Sequence, residues 1–174
     1  ETLSKITTLE NNSDWVAIVK QKTSQRNTAQ NSWWILVLDG IRDPGNMGTI
    51  LRTASWFGIK NIICSEDSVE LYNPKVVSAT MWALFHLDIR YEKLENFYKN
   101  NTLWVYGAEL WGKNIGEIIF PKSWVLVMGS ESHGISEISR KYMTQGIFIP
   151  KVWYGESLNV SIASGILLSH ISQS

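Results

Sequence analysis

"WWILVLDGIRDPGNMGTILRTASWFG", residues 33–58, is the stretch on which the fold turns. Trp33–Leu38 is a continuous apolar run, short and bounded by turn residues, which reads as a strand buried on both faces. Asp39 and Gly40 end it, and Asp43-Pro44-Gly45 forces a turn. Asn46–Gly58 then has helical character: Asn46 is placed to cap its start, and Gly58 falls where a C′ glycine belongs. A buried strand running straight into a helix is half of a βαβ unit, and such units build parallel sheets covered on both faces.

The pattern repeats along the chain. "IKNIICS", residues 59–65, is the next strand, and Asn73–Leu87 reads as a helix with Pro74 in its first turn. Tyr91–Asn101 reads as a polar, exposed helix, Ile135–Met143 as a short one and Ser157–Ser172 as the last. "LWVYGAEL", "SWVLVMGSE" and "GIFIP", at 103–110, 123–131 and 146–150, are three further buried strands. The expected fold class is therefore α/β, a parallel sheet flanked by helices, beginning near Ser32. Residues 1–31 are polar apart from the island Trp15–Val19, and Lys20–Ser32 has the composition of a linker. The chain opens at Glu1 rather than Met, so it reads as a fragment whose N-terminal part is missing.

The bulk composition narrows the function classes. A length of 174 residues suits one domain with a real core, and 44% hydrophobic with 18% charged residues is a globular balance. The formal net charge is +0, which gives no general basic surface for nucleic acid. Apolar runs are too short to span a bilayer, and no signal peptide is visible. Cys64 stands alone, so neither a disulfide framework nor a cysteine metal cluster is expected, and the setting is reducing, intracellular and cytoplasmic. His86, His133 and His170 lack metal-ligand spacing and read as structural. Most of the nine tryptophans are assigned to the core or to a subunit interface.

In open parallel sheets ligands bind at the carboxyl ends of the strands, which directs attention to three loops. In the first, Asn46 opens a helix, Gly48 permits close approach of a backbone or ligand, and Arg52 lies nearly two turns on with a fork suited to phosphate. Taken alone, this segment reads as a capped helix with an exposed arginine. It has neither G-x-G-x-x-G nor the G-K-S/T of a P-loop. In the second, "LVMGSESHGIS" at 126–136, Gly129 and Gly134 bracket Glu131, with Ser136 or Ser132 as a helix cap. In the third, Ser157 can cap the last helix, but Asn159 and Ser161 are weak helix formers set before a strongly apolar helix.

Together these segments resemble the SpoU (TrmH-type) RNA ribose 2′-O-methyltransferases of the SPOUT superfamily. The first motif is similar to Asn46-x-Gly48-x-x-x-Arg52-x-Ala54, the second to Gly129-x-Glu131-x-x-Gly134, and the third to Ile149-Pro150 followed by Ser157-Leu158-Asn159-Val160-Ser161. Order and spacing agree from Asp39 to the end. The resemblance implies a deep C-terminal trefoil knot and S-adenosylmethionine as cofactor, bound by Gly107, Met128, Gly129, Ile149 and Leu158. It implies methyl transfer to a ribose 2′-hydroxyl of RNA, rRNA first and tRNA as the alternative, with Asn46, Arg52, Glu131, Ser157 and Asn159 as catalytic residues and no metal. It further implies a homodimer through the knotted domain, and makes residues 1–31 the tail of an upstream RNA-binding domain, with the methyltransferase domain at 32–174. Two departures are visible. Lys151 and Trp153 replace the methionine and glycine of the third motif, and Trp82 stands where a small residue is usual. Lys151 and Trp153 motivate a second hypothesis: a non-catalytic RNA-binding or assembly protein of the same fold.

Overall fold

The computed structural model describes residues 34–153 and 155–173. The reading of residues 1–31 lies outside the described residues. Six strands form one parallel sheet in the order β3-β2-β1-β5-β4-β6. They are β1 (Trp34–Asp39), β2 (Asn61–Cys64), β3 (Asp88–Tyr91), β4 (Trp104–Asn114), β5 (Trp124–Gly129) and β6 (Gln145–Phe148). Successive residues of each strand enter opposite layers, as the two-residue strand period requires. Leu36, Leu38, Ile62, Cys64, Leu126 and Met128 face one side, while Val37, Ile63, Val105, Val125 and Val127 face the other.

The first layer is covered by α1 (Pro44–Trp56), α2 (Pro74–Thr80) and α5 (Val160–Ile171). The second is covered by α3 (Leu94–Lys99) and α4 (Glu137–Tyr142). The all-apolar strand sequences therefore have the cause inferred for them, burial on both faces. Among the described residues no helix is long and apolar enough to cross a membrane. Cys64 is fully buried on β2, and burial pushes its thiol up to about 12 against a smaller opposing hydrogen bond from Tyr91.

Several local expectations change. Asp43, not Asn46, caps α1: its carboxylate accepts from Asn46 N at 2.7 Å, and Pro44 occupies the first turn. The Asn46 side chain is thereby free for other partners. The helix expected over Asn73–Leu87 stops at Thr80, because Met81 takes φ 53° and a 3-10 turn follows at Ala83–His86. The strand β3 was not foreseen, since "DIRY" offers only four residues and two of them are charged. The helix at Tyr91–Asn101 shrinks to α3, and it is not exposed throughout: Leu94 and Tyr98 are buried, with Tyr98 Oη donating to Ser139 Oγ at 3.0 Å. Of the described tryptophans only Trp124 is in the core, at 1% exposure, stacked on Trp34. Trp56, Trp82, Trp104, Trp111 and Trp153 are exposed.

Two glycines are explained by packing. A Cβ at Gly48 would collide with Ala79 Cβ and lie 3.0 Å from Val76 O, so the close approach expected there is made by α2. A Cβ at Gly129 would overlap the Gly134 and Ile135 backbone, where the 130–134 turn folds back through paired Ser130–Gly134 hydrogen bonds of 3.0 and 2.9 Å. Backbone cannot yield as a flexible side chain can. Gly129→Ala is therefore expected to lower stability by ~1–3 kcal/mol, read as a lower urea midpoint at unchanged slope.

Candidate active site

The three sequence motifs meet at the carboxyl edge of the sheet. β1 leads to α1, β5 leads to the 130–134 turn, and the segment after β6 leads to α5. Register sets the first two side by side, since Asp39 pairs with Gly129 at the ends of β1 and β5. The Asp39 carboxylate, 6% exposed, then accepts from Ser136 N at 2.9 Å and ties the end of the second loop to β1.

At the junction, Glu131 Oε1 accepts from Asn46 Nδ2 at 2.9 Å and from Asn159 Nδ2 at 2.5 Å. Asn159 Nδ2 also donates to Asn46 Oδ1 at 3.1 Å. The other end of the Asn159 amide faces its own helix. Oδ1 accepts from Ser161 N at 2.9 Å, from Ser161 Oγ at 2.5 Å and from Ile162 N at 3.4 Å. Asn159 is thus the N-cap of α5, in place of the expected Ser157, and the helix starts at Val160. Ser161, buried at 8%, completes this cap. One amide serves as helix cap and as link between three chain segments far apart in sequence.

Not every expected residue joins this junction. Ser157 is exposed, and no hydrogen bond connects it to Asn46, Glu131 or Asn159. Arg52 lies on the exposed face of α1, six residues beyond Asn46. Six residues are about 600° of helix rotation at ~3.6 residues per turn, which turns its Cβ roughly a third of a circle from that of Asn46. Trp56, one turn further and 84% exposed, shares the Arg52 face.

The expected cofactor residues fall on three neighbouring strands, β5-β4-β6. Gly107 belongs to β4 and Met128 and Gly129 to β5, all three buried; Ile149 follows β6 and is half-buried. Leu158 stands apart at 49% exposure. The missing Cβ positions of Gly107 and Gly129 are filled by Met143 and Ile135 and by the 134–135 backbone, so these glycines leave no side-chain void. They offer a ligand backbone groups only. Beside them Glu109 lies with its side chain 9% exposed, ion-paired through Oε1 with the Arg140 guanidinium.

A cleft of about 270 Å³ opens next to the junction, between the 39–43 loop and the 130–134 turn, with Asn46, Asp67 and Val160 in its wall. Sequence reading missed Asp39, Arg42 and Asp67 in this wall. The one available signal was their place after the strands β1 and β2. His133 also reaches the cleft, with Nδ1 2.7 Å from Ser132 Oγ. Among the described residues no group of three His, Cys, Asp or Glu side chains could hold a metal ion.

The dual use of Asn159 is testable. Asn159→Asp keeps an oxygen for the cap but puts a second carboxylate against Glu131 Oε1. The like charges raise the folded-state pKa of the pair above its unfolded value. The native state then binds the extra proton more tightly, so the variant's stability deficit against the parent widens as pH rises from 5 to 8. Thermal melts at the two pH values read the difference, and an equal deficit at both would remove Glu131 as the partner.

Residues 34–169 match the SpoU rRNA Methylase family. The chain is 28% identical over 141 residues to the 23S rRNA (guanosine(2553)-2'-O)-methyltransferase RlmP of Bacillus subtilis (strain 168), covering 79% of this chain and 57% of RlmP. Among solved structures, a putative RNA methyltransferase of the TrmH family from Porphyromonas gingivalis superposes with a TM-score of 0.75 at 39% identity, over 80% of this chain and 59% of that one. The AdoMet-bound rRNA methyltransferase from Sinorhizobium meliloti superposes with a TM-score of 0.77 at 31% identity, over 83% and 57%. The chain spans less than two thirds of the length of each of these relatives. A family match covering nearly all of the described sheet and helices, joined to the meeting of its three motifs at Glu131, places this chain in the SpoU rRNA Methylase family.

Proposed function

We propose that the chain transfers the methyl group of S-adenosylmethionine to a ribose 2′-hydroxyl of RNA in the cytoplasm, with rRNA as the substrate and tRNA as the alternative. The observation that carries this reading is the Asn46–Glu131–Asn159 junction, which gathers the three motif segments at the strand ends where α/β sheets bind ligands. The names of the relatives, a 2′-O-methyltransferase and an AdoMet-bound rRNA methyltransferase, support it.

The residues present fit the cofactor. Gly107, Met128, Gly129 and Ile149 would hold it through backbone groups at adjacent strand ends, with Leu158 closing over it. Backbone donors and acceptors at these strand ends, not side chains, are what the site offers the cofactor's nucleoside half. When bound, the cofactor supplies an activated methyl group on a sulfonium. Arg52 stays protonated and is therefore a poor base; its role is to position a phosphate and the ribose by its fork. Glu131 holds Asn46 and Asn159 in one orientation, so their amides present a fixed wall to the ribose. Ser157 is left at the entrance.

The homodimer belongs to the same reading. Ile162 and Ile166 lie one turn apart on α5 and are 54% and 41% exposed, and Arg52 and Trp56 share the outer face of α1. Exposed apolar side chains on α1 and α5, with an arginine that the junction does not use, fit a site completed against a second copy. The deep trefoil knot is a further part of the proposal. The chain leaves β6 at the sheet edge and comes back to lay α5 on α1, passing the 130–134 turn.

The non-catalytic alternative rests on Lys151 and Trp153. Lys151 Nζ donates to Gly155 O at 3.1 Å, and Trp153 is 80% exposed, so its ring does not fill the space between the strand ends. That favours a working cofactor site. Calorimetry with S-adenosylmethionine decides it: micromolar binding corresponds to about −8 kcal/mol, and a folded chain that binds none leaves the non-catalytic reading standing. Arg52→Ala should abolish methyl transfer to RNA while leaving cofactor affinity unchanged, and undiminished transfer would take Arg52 out of the mechanism.

A further inference from the structure

The end of β4 is anchored by one charged pair. β4 runs in register with β6 as far as Ala108, and pairing resumes only at Lys113; both residues stand opposite Ile147. Residues 109–112 therefore bulge from the end of the strand, two positions beyond Gly107. The bulge has little apolar anchorage of its own, since Leu110 and Trp111 are 65% and 64% exposed. It is held at its two ends. Gly112 lies so close to the β6 backbone that a Cβ would come within 2.3 Å of Gly146 O. Glu109 turns inward, with its side chain 9% exposed, and Oε2 would stand 3.2 Å from a Cβ on Gly146.

Arg140 does more than neutralise this carboxylate. Its Nη1 meets Glu109 Oε1, while its Nε donates to Ile135 O at 3.0 Å. Ile135 belongs to the backbone that crosses Gly129 at the end of β5, and its Cδ1 would lie 2.9 Å from a Cβ on Gly107. One guanidinium thus spans from the β4 bulge to the 134–135 backbone, the two segments that flank the strand ends at Gly107 and Gly129. The arm that carries it is fixed. Ser136 caps α4, Arg140 N donates to Ser136 O at 2.9 Å, and Ser136 N donates to Asp39. A nearly buried carboxylate keeps its charge only against a partner, so Glu109 holds the guanidinium as firmly as the guanidinium holds the bulge. Neither residue belongs to the three motifs, and the chemistry of methyl transfer asks for no charge at either place.

We propose that the Glu109–Arg140 pair positions the cofactor site: it fixes the spacing between the β4 bulge and the 134–135 backbone, and with it the width of the slot that receives S-adenosylmethionine. The inference rests on the methyl-transfer reading above and adds two positioning residues to it. Neither touches the reacting atoms. Both act through the backbone at Gly107, Gly129 and Ile135.

The test is calorimetric titration of the full chain with S-adenosylhomocysteine, well below the melting temperature, with the urea midpoint of each variant measured in parallel. Arg140→Lys keeps the charge but ends in one ammonium, which can serve Glu109 or Ile135 O and not both as the guanidinium does. Glu109→Gln keeps the shape and removes the charge. Each is expected to weaken binding about tenfold. The double variant should lose no more than either single one, because the two side chains act as a unit. A pair with only a structural role would lower the urea midpoint and leave the affinity of the folded chain as it was. Unchanged affinity in either single variant therefore overturns the proposal, and so do losses that multiply to about a hundredfold in the double variant. If Arg140→Lys does not fold, Glu109→Gln decides. A parent chain that binds no S-adenosylhomocysteine removes the methyl-transfer reading and this inference together; a parent that binds, with variants that bind equally well, removes this inference alone.

Discussion

The Asn159 amide is the constraint from which the site follows. Its oxygen is spent on the first turn of α5 and its nitrogen on Glu131 and Asn46. A cap is a local need that any Ser, Asp or Asn could meet. Unlike an Asp carboxylate, an amide keeps a donor end after capping, and here that end, with two N–H bonds, reaches a carboxylate on another segment. The start of α5 is thereby fixed relative to α1 and to the turn after β5. Asn46 can take part because Asp43 has relieved it of capping α1.

Beneath this junction the sheet sets the tolerances. Apolar residues on both faces leave each strand end little freedom, and the interior is packed without slack. Where chain segments cross most closely, side chains are absent: Gly129 under the 134–135 backbone and Gly48 against α2. Glycine at these positions gives up side-chain packing so that two backbones can meet. The result is a rigid support for polar groups that project from its carboxyl edge, the arrangement that the proposed methyl transfer needs.

How much of the candidate site could be read from the chain depended on the kind of interaction. Asn46, Glu131 and Asn159 stood out because polar residues at the edges of apolar runs need a reason, and the structure brings those three together. Ser157 stood out for the same reason, as the expected cap, and is not in the junction; Asn159, two residues on, takes the cap, and the chain direction before α5 made that choice. Asp39 and Asp67 were not legible as a pair in one cleft. They lie 28 positions apart, and only the parallel pairing of β1 with β2 puts their loops side by side.

The same division holds for the fold. Period, turn residues and glycine placement in residues 33–58 determined an α/β chain with a buried parallel sheet, because those signals are local and act within a few residues. Tertiary structure decided the rest. It ended α2 at Met81, recruited the four residues of β3 as an edge strand, buried Tyr98 under α4, and left most of the described tryptophans outside the core. Strand order and the meeting of three loops at one carboxylate are long-range facts. They depend on which surfaces bury one another best, and no single segment contains that information.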